Sequence, residues 1–351
     1  MASEAAARGR TRFATFCWFA LAYTLAVIVW GAFVRATGSG AGCGSHWPTC
    51  NGEVVPRAPS VETLIEFSHR LTSGLSGLIV LAQVLLARRL YPRGHRVRQA
   101  AGWAGGFMLL EVIIGAGIVV LKYVADDQSV GRAVWMGVHL VSTFLLVGAM
   151  TLTAHYARGA ARVRLAGTGT RGALAGVVLA SIILTGLSGS VAALGDTLFP
   201  AESLGTALAA DLSPTAHFLV RLRVAHPFIA VGAAFLTLGY RAFLQDRSEG
   251  RPGVARWGLW VRVTVLSQLG LGLVNVMLLA PVWLQLVHLF LADVLWISLV
   301  LFIAHAFAGA PVPGRVAPDA GAATSVPGPR REDGRGGALD VGTLDEAEPA
   351  E

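Results

Sequence analysis

The chain has 351 residues, of which 54% are hydrophobic and 14% charged, where an average soluble domain carries about 25% charged residues. With a mean hydropathy of +0.61, this composition excludes a soluble globular enzyme and a disordered chain. The net charge of +7 rests on 28 basic residues, all arginine except Lys122. In so apolar a chain a basic excess points to membrane topology rather than nucleic acid.

A spanning helix needs about 20 mostly apolar residues. Eight segments qualify: 13–35, 65–87, 99–121, 133–155, 173–193, 217–240, 257–279 and 284–308. The predicted fold class is an all-α integral membrane protein. Residues 1–12 bring Arg8, Arg10 and Arg12 to the first span and hold no small-residue cleavage site, so that span is expected to stay in the protein. The first loop has one basic residue, Arg57, and the second has Arg88, Arg89, Arg93, Arg96 and Arg98. The third has Lys122 and Arg132, and the fourth has Arg158, Arg162, Arg164 and Arg171. The sixth has Arg241, Arg247, Arg251 and Arg256, while the fifth and seventh have none that is clear. Basic loops stay cytoplasmic. Both termini are therefore expected inside a cell membrane, with the odd-numbered loops outside. The tail 309–351 is rich in Pro, Gly and Ala, with eight acids against four Arg, and reads as disordered and cytoplasmic.

The chain repeats itself. His69 in EFSHRL matches His226 in RVAHPF at an offset of 157, as do Glu111 with Gln268, Gly115 with Gly272 and Gly38 with Gly195. VHL at 138–140 matches VHL at 287–289 at an offset of 149, which shortens the seventh loop. Two parallel four-helix halves follow, 13–157 and 173–308, joined by a linker at 158–172.

The repeat selects four histidines, His69, His139, His226 and His288, on the even-numbered spans and near their outer ends. Ionisable side chains inside spans are costly and normally functional. Two facing imidazoles in each bundle suit the axial positions of a haem. Zinc would need a third or fourth ligand, which neither half offers in register. His217 competes with His226 but is nine residues out of register, so it reads as interfacial. His46, His95 and His155 read as solvated or interfacial, and His305 carries no assigned role. No C-x-x-C-H is present for covalent haem attachment.

The halves differ chemically. Glu66 lies three residues before His69, where the second half has Arg223. A carboxyl beside a redox centre can exchange protons, and the alternative for Glu66 is a salt bridge with Arg70 or Arg35. Arg35, Arg70, Arg221 and Arg223 are candidate partners for anionic groups such as haem propionates, although Arg35 at the boundary could equally snorkel. Cys43 and Cys50 in CGSHWPTC face an oxidising compartment, where a disulfide is expected either as a staple or as a redox-active pair. Cys17 reads as packing, Trp135 and Trp283 as belt residues, and Asp293 has no evident partner.

The stretch VRATGSGAGC…WPTCNG, the motif Glu66-x-x-His69-Arg70 and the paired VHL helices resemble the haem A synthase family over residues 13–308. The resemblance implies an oxidoreductase that converts the C8 methyl of haem O into the formyl group of haem A for terminal oxidases. It implies haem O as substrate between His69 and His139, with Glu66 as the catalytic carboxylate. A haem b cofactor would sit between His226 and His288, and the Cys43–Cys50 disulfide would lie over the substrate site. Members with a second Cys pair in the fifth loop differ from this chain, which has none there. A haem O synthase is the implied donor, no nucleic acid partner is expected, and homo-oligomerisation is left open. Three other classes account for part of the pattern; one, a transporter built from two repeats, is disfavoured by the lack of broken helices at the midplane and by the outer-side histidines. A b-type cytochrome carrying electrons to or from quinone explains the four histidines but not Glu66 or the cysteine loop. A disulfide-exchange enzyme leaves the histidines unexplained.

Overall fold

A computed structural model describes residues 2–164, 167–247 and 251–309; the tail expected to be disordered lies, but for residue 309, outside the described residues. Among them the chain forms α1 (Ala2–Ala36), α2 (Val61–Leu90), α3 (Arg96–Val120), α4 (Val130–Ala157), α5 (Thr170–Leu198), α6 (Leu204–Leu212), α7 (Phe218–Arg223), α8 (Ala225–Asp246), α9 (Pro252–Met277) and α10 (Val282–Ala306). Eight helical segments are long and apolar enough to cross a membrane, with α7 and α8 together forming the sixth. In hydrocarbon every backbone polar group must be satisfied within the protein, and a helix does so within one segment. The starts are set by local caps: Ser60 Oγ accepts the Thr63 N–H and Ser129 Oγ accepts the Arg132 N–H. His95 caps α3 through Nδ1, which accepts the Val97 N–H at 3.2 Å. Burial and the neighbouring Arg96 and Arg10 lower its pKa, so it stays the neutral acceptor this cap requires.

Two features depart from the sequence reading. The sixth span, expected as one helix over 217–240, is broken between α7 and α8. Pro227 supplies the reason: it has no N–H to donate to the Arg223 carbonyl, and its ring crowds that oxygen. The break leaves His226 in the first turn of α8. The fifth loop, for which no element was expected, folds a further helix, α6, started by a reciprocal Ser203–Thr206 capping box.

In the first half, α1 packs on α2 and α4, while α3 packs on α2 and α4; in the second, α5 packs on α7, α8 and α10, and α9 on α8 and α10. Between them, α4 meets α5 and α10, and α1 meets α10 and α5. The seam is specific. Phe144 stacks on Trp296 with centroids 5.2 Å apart, and Trp296 Nε1 donates to the Phe144 carbonyl at 2.7 Å. Gly148 gives the indole room, since a Cβ there would come within 3.3 Å of Nε1. Arg35 straps the seam at the end that carries the first loop. Its Nη1 donates to the Ala193 carbonyl and Thr197 Oγ1, both at 2.8 Å, and its Nη2 to Gln285 Oε1 at 3.0 Å. At the opposite end, His155 and His305 meet edge to face at 4.9 Å. There the Arg164 N–H donates to the Phe307 carbonyl and the Gly309 N–H to the Arg162 carbonyl, stitching the linker to the end of α10.

Trp296→Ala removes both the stack and the hydrogen bond that join the halves. It should cost about 3–5 kcal/mol and lower the thermal unfolding midpoint in detergent. Trp103→Ala, at a side chain 66% exposed on the outer face of α3, should leave that midpoint nearly unchanged.

Candidate functional site

The four repeat-selected histidines sit on helices that all start at the first-loop end: His69 on α2, His139 on α4, His226 on α8 and His288 on α10. In the second half, His226 and His288 face each other with ring centroids 6.5 Å apart and planes at 87°. Two imidazoles bound through about 2 Å metal–nitrogen bonds on opposite sides of one iron put their centroids roughly 6 Å apart. In the first half the matching residues are His69 on α2 and His139 on α4.

The ring nitrogens are sorted by their surroundings. Nδ1 is buried in His69, His139 and His288, while each of these side chains stays partly exposed. Nε2 is therefore the nitrogen turned toward open space. Glu111 Oε2 lies 3.1 Å from His139 Nδ1 and accepts from Thr143 Oγ1 at 3.0 Å. Ser188 Oγ and His226 Nδ1 share a hydrogen bond of 3.1 Å. Such partners at the far nitrogen fix tautomer and ring direction in metal-ligating histidines. Gln268, the repeat mate of Glu111, instead donates from Nε2 to the His288 carbonyl at 3.1 Å. The neighbouring helices approach the rings through glycine. A Cβ at Gly31 would lie 2.8 Å from His69 Cε1, and one at Gly189 would lie 3.0 Å from His226 Cε1. The buried Nδ1 atoms, the open Nε2 atoms, the glycine clearance and the 6.5 Å pair fit haem ligation. Among the described residues no group of three metal-binding side chains is present.

Glu66 is buried, with both carboxylate oxygens hydrogen-bonded. Its Oε2 accepts the Cys43 N–H at 2.7 Å and its Oε1 accepts Arg70 Nε at 3.1 Å and Arg70 Nη2 at 2.5 Å. Of the two salt-bridge partners foreseen, the structure forms Arg70 and not Arg35. Cys43 and Cys50 form a disulfide. In the second half, Arg223 pairs with Asp211, with Asp196 at 3.2 Å and with the Ala207 carbonyl at 3.4 Å. Arg221 is exposed, and Arg35, Arg70 and Arg223 all hold protein partners.

The remaining candidates take structural places. His217 caps α7 through the Leu219 N–H and stacks on Phe199. His155 is buried rather than solvated, and His46 is exposed. Cys17 is fully buried, as is Asp293, whose two carboxyl oxygens have no partner. Sequence reasoning used Glu111 only to align the repeat and missed its place beside His139. Its signal was a carboxylate in the middle of an apolar span. It also missed Ser188 and the two glycines, which carry no such signal.

Comparison with known proteins relates the chain to a family. Residues 14–300 match the COX15-CtaA family of cytochrome oxidase assembly proteins. A protoheme IX farnesyltransferase of Thermus thermophilus is 47% identical over 270 residues, covering 77% of this chain and 44% of that protein. Heme A synthases of Exiguobacterium sp. and Bacillus mycoides are 37% and 39% identical over 131 and 118 residues, which cover 37% and 34% of this chain. The matched region spans less than half the length of each of these relatives, 44%, 42% and 37% respectively. With the family match extending over most of its length, this chain belongs to the COX15-CtaA family of cytochrome oxidase assembly proteins, the family of the haem A synthases.

Proposed function

We propose that the chain is a haem A synthase, oxidising the C8 methyl group of haem O to a formyl group. The single observation that carries the reading is the His226–His288 pair at haem-ligand spacing, beside a second histidine pair that has a buried carboxylate on the same helix. The second half, 173–308, holds a haem b cofactor between His226 and His288, and the first half, 13–157, binds haem O between His69 and His139. Bound haem supplies one-electron chemistry. The protein supplies the rest. Glu111 holds His139 with Nε2 outward, and Ser188 does the same for His226. Glu66 handles protons at the first-half site. Both termini lie in the cytoplasm and the histidine pairs toward the outer face of the cell membrane, a reading the arginine-rich loops support. The donor of haem O is a protohaem farnesyltransferase. The Thermus relative bearing that name devotes under half of its length to a region like this chain.

The direct test is expression in a host that makes haem O and no haem A, followed by extraction and mass identification of the haems. Haem A in the extract supports the reading; haem b alone, with haem O plentiful in the same membranes, overturns it in favour of a b-type electron carrier. His226→Ala and His288→Ala should lose haem b, whereas His69→Ala and His139→Ala should keep it and lose at least about 100-fold in haem A formation. Glu66→Gln should retain bound haem and slow conversion about 10²–10⁴-fold, the range of a lost proton-transfer group. Gly189→Val should expel haem b by crowding His226 and Gly31→Val should spare it, both read from the absorption spectrum of the purified protein.

A further inference from the structure

Arg70 is one residue from His69 but makes its contacts elsewhere. Its Nη1 donates to the carbonyls of His46 and Thr49, each at 2.7 Å, while Nε and Nη2 hold Glu66 Oε1. One planar guanidinium thus joins α2 to the loop closed by the Cys43–Cys50 disulfide. That loop is pressed onto the first turn of α2: Thr63 Oγ1 donates to the Gly42 carbonyl at 2.7 Å, and a Cβ at Gly42 would lie 2.4 Å from the Glu62 carbonyl carbon. The other Glu66 oxygen, Oε2, is capped by the amide of Cys43 itself. With the loop in place Oε1 is filled by two Arg70 donors, and Oε2 is held by the Cys43 amide with one acceptor position left over.

The second half shows that this strap is not a general need of the fold. At the repeat offset of 157, Glu66 becomes Arg223 and Arg70 becomes Pro227. The loop there is fastened with the charges reversed, through Asp196 and Asp211, and without cysteine. Both halves fasten an outer loop at one equivalent position, but only the His69 half does so through a carboxylate whose partner is a disulfide cysteine.

We propose that Arg70 is the positioning residue of the first-half site: it locks the disulfide loop and the Glu66 carboxylate into one unit, so that loosening the loop displaces the carboxylate from its place for proton exchange. Here Arg70 acts on the loop rather than on a haem propionate. The proposal rests on the proton-handling role given to Glu66 above. A lysine cannot replace it, because an ammonium is a point charge that does not span a carboxylate and two carbonyls at once.

The test is hydrogen–deuterium exchange with mass detection on the full chain in detergent, following peptides across residues 42–57, with peptides of α4 and α10 as a folding control. Arg70→Gln, and separately phosphine reduction of the wild-type disulfide to two thiols, should each raise loop exchange about tenfold, with the control peptides unchanged. Combining the two should add little. Arg70→Lys should keep α2 intact, loosen the loop, and lower the turnover of haem O about 10–100-fold at unchanged KM; it carries the test if Arg70→Gln does not accumulate. Wild-type loop exchange in both Arg70 variants overturns the proposal, as do fully additive effects of Arg70→Gln and reduction. If the exchange coupling holds and the wild-type protein makes no haem A, the reaction assignment fails and the strap stands. The reverse pattern removes the strap alone.

Discussion

An imidazole inside an apolar helix bundle must find a place for both ring nitrogens, and the arrangement of this protein follows from that need. A buried polar atom without a partner is costly in hydrocarbon. The chain supplies a neighbour for Nδ1 at two of the four rings, while Nδ1 of His69 and of His288 is buried without a protein partner. Nδ1 is turned into the protein, against Glu111 at His139 and against Ser188 at His226, and Nε2 is turned into the space between helices. Glycines on α1 and α5 let the neighbouring backbone come close enough to fix the rings without filling that space. The break before α8 belongs to the same arrangement, because it sets His226 at the start of a new helix facing His288 at 6.5 Å.

Around these rings the two halves differ in the sign of their fastenings. The first half holds its first loop with Glu66, Arg70 and a disulfide; the second ties α7 to α5 and α6 with Arg223 and two aspartates. A carboxylate beside a histidine pair can exchange protons, and a guanidinium at the same place cannot. Glu111 against Gln268 repeats the theme one helix away: the acid reaches a ring nitrogen, and the amide reaches a backbone carbonyl.

The halves are joined by a small number of directional contacts rather than by apolar surface alone. Lipid tails are as apolar as leucine, so helices in a bilayer gain little by hiding apolar area from one another. Close packing and hydrogen bonds must supply the specificity. Trp296 on Phe144, the glycine beside them and the Arg35 strap to Ala193, Thr197 and Gln285 serve that role. Arg35 has no repeat mate, since Ala192 stands at its offset in the second half. Its strap therefore crosses the seam from one side only.

Composition and periodicity alone determined the eight spans, because apolar length is a one-dimensional property. The repeat offset singled out the four histidines, because a polar residue kept in register inside apolar segments is visible without coordinates. The E-x-x-H-R motif placed Glu66 and Arg70 one turn apart, so their ion pair was legible from helical spacing. Tertiary structure decided the rest. Whether Arg70 turns to a ligand or to the cysteine loop depends on where residues 46 and 49 lie after folding. That Glu111 meets His139 depends on how α3 packs on α4, and that Ser188 meets His226 depends on how α5 packs on α8. The ring nitrogens acquire different roles only once two helices close around them, and no spacing along the chain encodes that approach.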